Sequence, residues 1–215
     1  SLNLFGIWKL VLVISANMSK DLHHLARNLP PTILTIFGAT GDLSADYLIP
    51  ALLHMDKHRL LPADFKLVCV GRRPLTAKTY LDFILKKSGV VKRLSLSEKR
   101  IFLKHLIYFE GNFEKPESFK QLALLLEDHG LPRLRVRLGS RQARQVKAGQ
   151  PKHQCYNRLF YFATKPQAFA ALTRILKSQG LLKACAEHKR QIRILVEKPF
   201  GFNLKSAQAL NKLLL

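Results

Sequence analysis

The sequence predicts an α/β domain in which a doubly wound parallel sheet carries helices on both of its faces. Short apolar runs rich in β-branched residues alternate with longer amphipathic runs, an alternation typical of β–α–β units with right-handed crossovers. The short runs are apolar throughout, as strands are when helices cover both faces of a sheet. No internal repeat is visible. We therefore place one such domain at residues 32–215.

The first half of the domain contains two strand–helix pairs. Ile33–Phe37 is short and apolar and ends at a glycine, which predicts a buried strand. Asp42–His58 has apolar residues at helical spacing and predicts the first helix. Phe65–Val70 predicts the second strand. Thr76 is a suitable cap for a helix that runs to about Lys87.

The middle of the chain continues the alternation. Ser97–His105 predicts a helix, which leads into a third strand at Leu106–Phe109. A further helix begins at Pro116, carries its apolar residues on one face and ends near Gly130.

The last part of the chain adds two strands and two helices. Leu159–Ala163 predicts the fourth strand, and Phe169–Gln179 predicts a helix that ends before a glycine. Ile192–Val196 predicts the fifth strand, and an amphipathic helix runs from Ser206 to the end. The complete order is that of a Rossmann-like fold.

Residues 1–31 form an N-terminal extension in this interpretation, either unordered or upstream of the true start. Its apolar stretch is interrupted by Lys9 and is too short to cross a bilayer, so no membrane segment is predicted. No methionine precedes Met18. Residues 1–17 are therefore open to two interpretations: sequence upstream of a true start at Met18, or a weakly ordered helix or strand.

The chain is strongly basic, with a formal net charge of +22. Eight Lys or Arg residues and no acid lie between Leu131 and Arg158. We interpret residues 131–156 as a solvated basic loop, with a nucleic-acid patch as the open alternative. No zinc-finger or RNA-recognition motif supports that alternative, so no nucleic-acid partner is predicted.

The cysteines indicate the compartment. Cys69, Cys155 and Cys185 are odd in number and far apart, which is neither a disulfide framework nor a zinc pattern. Reduced thiols in a cytoplasmic protein are the expectation.

A glycine turn joins the first strand to the first helix, with the sequence GATGDLS from Gly38 to Ser44. Gly38 permits the sharp turn, and Gly41 lets a pyrophosphate approach backbone amides at the start of the helix. Ser44 is small enough for close packing of helix and strand. The pattern alone is also compatible with a structural turn, but its place after the first strand favours a dinucleotide site.

The end of the second strand indicates which dinucleotide binds. NAD sites place an acid there for the ribose hydroxyls, whereas NADP sites place a cation for the 2′-phosphate. This chain has Arg72 and Arg73 and no acid. A guanidinium suits a phosphate, so we predict NADP, with a solvated arginine pair as the alternative.

Four segments carry a family resemblance: GATGDL, VGRRPLT, NRLFYFATKP and ILVEKPFG. In this order they resemble the NADP-binding domain of the glucose-6-phosphate dehydrogenase family, from about Thr32 to the end of the chain. EKPFG after the fifth strand, with RLFYFA before it, is the most specific pair.

The resemblance implies a set of ligand contacts. Lys198 of EKPFG would lie between the nicotinamide and the sugar phosphate and bind both, aimed by a cis bond at Pro199. Asn112 and Phe113 are added from their position after the third strand alone. The implied cofactor-binding residues are Gly38, Ala39, Thr40, Gly41, Asp42, Leu43, Ser44, Ala45, Arg72, Asn112, Phe113, Tyr161 and Lys198.

The resemblance also implies an activity: oxidation of D-glucose 6-phosphate to 6-phospho-D-glucono-1,5-lactone in the pentose phosphate pathway, by a homo-oligomer. The chain ends at Leu215, before the family's substrate segment, catalytic histidine and C-terminal β+α domain. We therefore assign no catalytic residue and expect these 215 residues alone not to turn over. The alternative function is a basic nucleotide- or nucleic-acid-binding module without catalysis.

One departure from the family's pattern and one pair of histidines also bear on ligand binding. The family follows GDLA with a lysine-rich triplet, but this chain has Ala45-Asp46-Tyr47 and lacks that charge. His54 and His58 have a spacing that can hold a metal, yet no third ligand accompanies them, so no metal site is predicted.

Overall fold

The computed structural model describes residues 20–89, 94–112, 116–127, 156–183, 191–198 and 204–214. Within these ranges the chain forms one parallel sheet and seven α-helices. The strands are β1 (Thr32–Phe37), β2 (Phe65–Gly71), β3 (Leu106–Glu110), β4 (Asn157–Phe162) and β5 (Ile192–Val196). The helices are α1 (Lys20–Arg27), α2 (Ile49–Lys57), α3 (Ala77–Lys87), α4 (Leu96–Phe102), α5 (Pro116–Glu127), α6 (Gln167–Ser178) and α7 (Leu204–Leu214).

The strand order is β3-β2-β1-β4-β5, with every neighbouring pair parallel. The chain first adds strands on one side of β1 and then crosses to add β4 and β5 on the other. The order therefore reverses between β1 and β4, whose last residues, Phe37 and Phe162, lie in register. Ligands of open α/β sheets bind at such a switch point. The predicted doubly wound, Rossmann-like α/β fold is confirmed.

Side chains alternate between two cores, one on each face of the sheet. Cys69 of β2 points into the core shared with α2, α3 and α4, whereas Val68 and Val70 point into the core shared with α5 and α6. Phe37 anchors the second core, with its ring centroid 6.1 Å from that of Phe119 and 5.7 Å from that of Phe162. The strands are apolar on both faces because both faces are covered.

The predicted helix Asp42–His58 is present but not uniform. It starts at Asp42, becomes a π-helix over Ser44–Leu48 and continues as α2. The amide of Ile49 donates to the carbonyl of Ser44, five residues back. Pro50 follows directly and has no N–H to donate, which removes one α-helical hydrogen bond at this point and favours the wider turn.

Two sequence predictions concern the ends of the domain. The extension 1–31 contains α1, whereas residues 1–19 lie outside the described part of the chain. The basic loop 131–156 also lies outside it, except for Tyr156, whose hydroxyl donates to the Asp64 carboxylate at 2.5 Å. The boundaries of domain and loop stay predictions.

No helix in the described ranges is long and apolar enough to span a bilayer.

The turn after β1 depends on the backbone freedom of Gly38. Its φ is +84°, and a Cβ at this position would lie 2.3 Å from the carbonyl oxygen of Ala163, the first residue after β4. Backbone atoms cannot yield as a flexible side chain can. The glycine therefore allows β1 and β4 to run side by side to their ends.

We predict that Gly38→Ala lowers the free energy of unfolding by at least ~3 kcal/mol, since it combines left-handed strain with a backbone clash. Gly180→Ala is the matched control: Gly180 has a φ of +72°, but nothing lies within 4 Å of a Cβ there. That variant should lose only ~1 kcal/mol. Chemical denaturation measures both, and equal losses would show that the approach to Ala163 is not tight.

Candidate functional site

The glycine turn is anchored to the end of β2. The amides of Gly38 and Ala39 both donate to the carbonyl of Val70, at 3.2 and 3.1 Å. The Gly41 amide then donates to the Gly38 carbonyl at 3.0 Å, and the Ser44 hydroxyl donates to the same oxygen at 3.3 Å. These bonds fold residues 38–44 into a tight cap over the carboxyl ends of β1 and β2.

The turn has a buried side and an open side. Ala39, Ser44 and Ala45 are buried, and their side chains pack inside the fold. The amides of Thr40, Asp42 and Leu43 donate to no backbone carbonyl in the described part of the chain. These amides open a helix, where the positive end of the helix dipole adds to the attraction for an anion. The predicted residues therefore divide into packing residues and residues that can face a phosphate.

Two tyrosines bind the backbone of the glycine turn and of the segment after β2. The sequence predicted neither contact. The Tyr80 hydroxyl donates to the Ala39 carbonyl at 2.9 Å. The Tyr108 ring stacks on the Tyr80 ring, with 4.9 Å between centroids, and its hydroxyl donates to the Arg73 carbonyl at 2.9 Å. Both hydrogen bonds join residues more than thirty positions apart in the sequence, so local motifs could not reveal the contacts.

The arginines after β2 have different surroundings. The Arg73 guanidinium lies over the Phe83 ring, 4.7 Å from its centroid, in a cation–π contact. Arg72 is exposed, and among the described residues its side chain has no hydrogen-bond or ion-pair partner. A Cβ at the preceding Gly71 would lie 3.1 Å from Cγ2 of Thr40, which places Arg72 next to the glycine turn.

The end of β3 lies beside the end of β2. The Gly111 amide donates to the Gly71 carbonyl at 2.9 Å, so the half-buried Asn112 follows at the same edge of the sheet. Phe113, the other residue assigned from position, lies outside the described residues, as does Pro199.

On the other side of the switch point, Tyr161 is tied to the end of β5. It is buried, and its hydroxyl donates to the carboxylate of Glu197. Burial and the carboxylate both raise the pKa of Tyr161. The hydroxyl predicted to contact the cofactor is thus bound to Glu197 in this structure. Lys198 follows directly and is exposed, so this hydrogen bond fixes the backbone next to the lysine.

One family accounts for this arrangement. A family model described as "Glucose-6-phosphate dehydrogenase, NAD binding domain" matches residues 35–215. The chain belongs to this family. The match spans the glycine turn, Arg72, Tyr161 and Lys198, which confirms the resemblance drawn from the four sequence segments.

Curated relatives carry the same family name. The glucose-6-phosphate 1-dehydrogenase of Schizosaccharomyces pombe is 32% identical over 179 residues, covering 82% of this chain and 31% of the relative. That of Chlamydia pneumoniae is 34% identical over 193 residues, covering 86% of this chain and 33% of the relative. The chain spans about a third of the length of these relatives.

Solved structures agree with the fold. The crystal structure of glucose-6-phosphate 1-dehydrogenase from Mycobacterium avium matches with a TM-score of 0.63 and 22% identity, over 86% of this chain and 34% of that chain. A glucose-6-phosphate dehydrogenase in complex with its substrate glucose-6-phosphate matches with a TM-score of 0.63 and 25% identity, with the same coverage.

The histidines weighed as metal ligands lie at the other end of the domain. His54 and His58 are near the end of α2, with 4.4 Å between ring centroids. No group of three His, Cys, Asp or Glu side chains in the described ranges could hold a metal. Burial, His58 and Lys57 lower the pKa of His54, which favours the neutral form of its ring.

His105, which precedes β3, forms a contact that depends on pH. Its Nε2 lies 3.4 Å from the Asp56 carboxylate, and its Nδ1 lies 3.1 Å from the Phe65 carbonyl. The hydrogen bond to Asp56 raises the pKa of His105 above its usual 6.5, although burial opposes this. The imidazolium therefore stabilises the folded state, and that contribution is lost as pH rises through the raised pKa.

We predict that Asp56→Asn lowers the free energy of unfolding most below pH 6.5, by about 1 kcal/mol because the pair is partly exposed. The difference from the parent should shrink between pH 6.5 and 9 as His105 loses its proton. Asp82→Asn is the control, because Asp82 pairs at 3.0 Å with a lysine, Lys99, and not with a histidine. Denaturant titrations at several pH values measure both, and a pH-independent effect of Asp56→Asn would contradict the assignment.

Proposed function

We propose that this chain binds NADP as the cofactor domain of a dehydrogenase that oxidises glucose 6-phosphate to the 6-phosphogluconolactone. One observation carries the proposal: the glycine turn, with its open amides, lies at the switch point of the sheet with Arg72 beside it. Family membership supports a nucleotide cofactor. The choice of NADP rests on Arg72.

The pyrophosphate would bind the open side of the turn. The unbonded amides of Thr40, Asp42 and Leu43 can donate to its oxygens, and Gly41 presents no Cβ to block the approach. The residues buried beneath, among them Ala39 and Ser44, keep the turn in shape.

The 2′-phosphate would bind Arg72. The adenosine ribose of a dinucleotide on this turn extends toward the end of β2, where no acid is present to receive two free ribose hydroxyls. Both arginines are exposed, but the Arg73 guanidinium lies over the Phe83 ring, whereas that of Arg72 can form a two-point hydrogen bond with a phosphate.

Lys198 would bind the substrate. The lysine follows β5 on the carboxyl edge of the sheet, the edge that also carries the glycine turn, and the Tyr161–Glu197 hydrogen bond holds the residue before it. The nicotinamide, when bound, accepts the hydride released from C1 of the sugar. Lys198 would bind the sugar phosphate and orient C1 without taking the hydroxyl proton, and we assign that step to no residue of this chain. A relative solved with glucose 6-phosphate supports this substrate.

A cytoplasmic location and self-association of the whole protein are further parts of the proposal. The buried, free Cys69 is compatible with a reducing compartment. Fractionation of cells and sedimentation of the purified whole protein test these two points.

We predict that Arg72→Ala weakens NADP binding by about tenfold to a hundredfold, since it removes a charge-assisted pair of hydrogen bonds worth ~1.5–3 kcal/mol. NAD binding should change less than threefold, because NAD lacks the 2′-phosphate. Calorimetric titration of the 215-residue chain with each dinucleotide measures the effect.

Arg73→Ala is the matched control for that experiment, since it removes the same charge from the neighbouring position. Its NADP affinity should stay within about threefold of the parent. Equal losses of NADP and NAD affinity in Arg72→Ala would remove this residue from its role. A parent chain that binds neither dinucleotide would refute the proposed function itself.

We further predict that Lys198→Ala, in the whole protein, raises the KM for glucose 6-phosphate and lowers kcat together, because lost orientation affects ground and transition states alike. Lys198→Arg keeps the charge in a different geometry and should recover part of the binding and little of the rate. Lys205→Ala, an exposed lysine on α7, is the control. Steady-state constants for Lys198→Ala equal to those of Lys205→Ala would disprove the role.

A further inference from the structure

The glycine turn carries negative charge where a pyrophosphate is expected. Residues 38–48 include Asp42 and Asp46 but no lysine or arginine. The Asp42 side chain is 87% exposed and belongs to the turn whose amides would meet the ligand. An uncompensated carboxylate there would repel a pyrophosphate, which itself carries two negative charges, over the few ångströms that separate them.

The end of α3 contacts both acids. The Lys87 ammonium lies 2.9 Å from Oδ1 of Asp42 and donates to the Thr40 carbonyl at 3.0 Å. Two residues further on, the Gly89 amide donates to Oδ1 of Asp46 at 3.3 Å. One short segment, residues 87–89, thus binds both carboxylates and one backbone oxygen of the turn.

We propose that Lys87 is a positioning residue of the dinucleotide site: by pairing with Asp42 it neutralises that carboxylate, so that the pyrophosphate can approach the open amides. This inference rests on the proposed function. The side chain of Lys87 is 33% exposed and that of Asp42 is 87% exposed, so the pair is largely solvated and its attraction is weaker than that of a buried pair. The cation that the turn lacks in its own sequence is supplied from a helix more than forty residues away.

The role differs from that of Arg72 in a measurable way. NAD and NADP share the pyrophosphate but differ at the 2′ position. Lys87 should therefore affect both dinucleotides equally, whereas Arg72 should affect NADP.

The test is calorimetric titration of the 215-residue chain with NADP and with NAD. We expect Lys87→Met to weaken both by about tenfold, the effect of leaving one nearby charge uncompensated. Lys86→Met is the matched control, because it removes the same charge from the adjacent, exposed position on α3, and should change either affinity less than twofold. Lys87→Arg, which keeps the charge, should recover most of the loss.

A double variant distinguishes neutralisation of Asp42 from support of the Thr40 carbonyl. Asp42→Asn combined with Lys87→Met removes the repulsion as well as the ammonium, so binding should return to within about threefold of the parent. If Lys87 acts only as a brace for the Thr40 carbonyl, the second change cannot restore binding. Thermal melting of each variant confirms that it is folded.

Two results would overturn the inference while leaving the proposed function intact: Lys87→Met with parental affinity, or a loss that Asp42→Asn does not rescue. A parent chain that binds neither dinucleotide would instead refute the proposed function, and the role of Lys87 with it.

Discussion

The close approach of two parallel strands at their carboxyl ends is the constraint on which the site depends. β1 and β4 are neighbours in register, so the residues that follow them, Gly38 and Ala163, lie very close together. Only a residue without a side chain fits at position 38. Gly38 resolves the conflict by turning away with a positive φ. The same turn exposes backbone amides at the start of a helix, so the packing of the sheet and the attraction for an anion have one origin.

The wide π-helical segment fits the same logic. The first turn of the helix exposes Asp42, whereas the helix from Ile49 onward buries its apolar face against the sheet. The π-helical turn at Ser44–Leu48 contains one more residue than an α-helical turn. The side chains after it therefore point in directions rotated from those that an uninterrupted α-helix would give. The exposed Asp42 and the buried residues of α2 can then belong to one continuous helix.

Much of the fold and part of the site could be predicted from the sequence, because their signals are local. Each strand is an apolar run bounded by turn residues, and the alternation of strands with helices implies a parallel sheet with right-handed crossovers. Arg72 could be proposed from the sequence because NAD and NADP sites differ in the charge of the residues after the second strand. The contacts of Lys87 with Asp42, of Tyr80 with Ala39 and of Tyr161 with Glu197 join residues more than thirty positions apart. No periodicity or motif encodes such pairs; they arise only when the sheet brings the elements together.

The thiol of Cys69, beneath the glycine turn, can report how often the sheet opens locally at the site. Cys69 lies in the middle of β2, fully buried against Tyr80, and burial raises the pKa of its thiol to about 12. A thiolate can therefore form and react only in molecules whose β2 has transiently separated from its neighbours. The rate at which a thiol reagent labels Cys69 therefore measures how often the sheet opens under the glycine turn. A ligand that binds both the turn and the strand ends must lower this labelling rate as its occupancy rises.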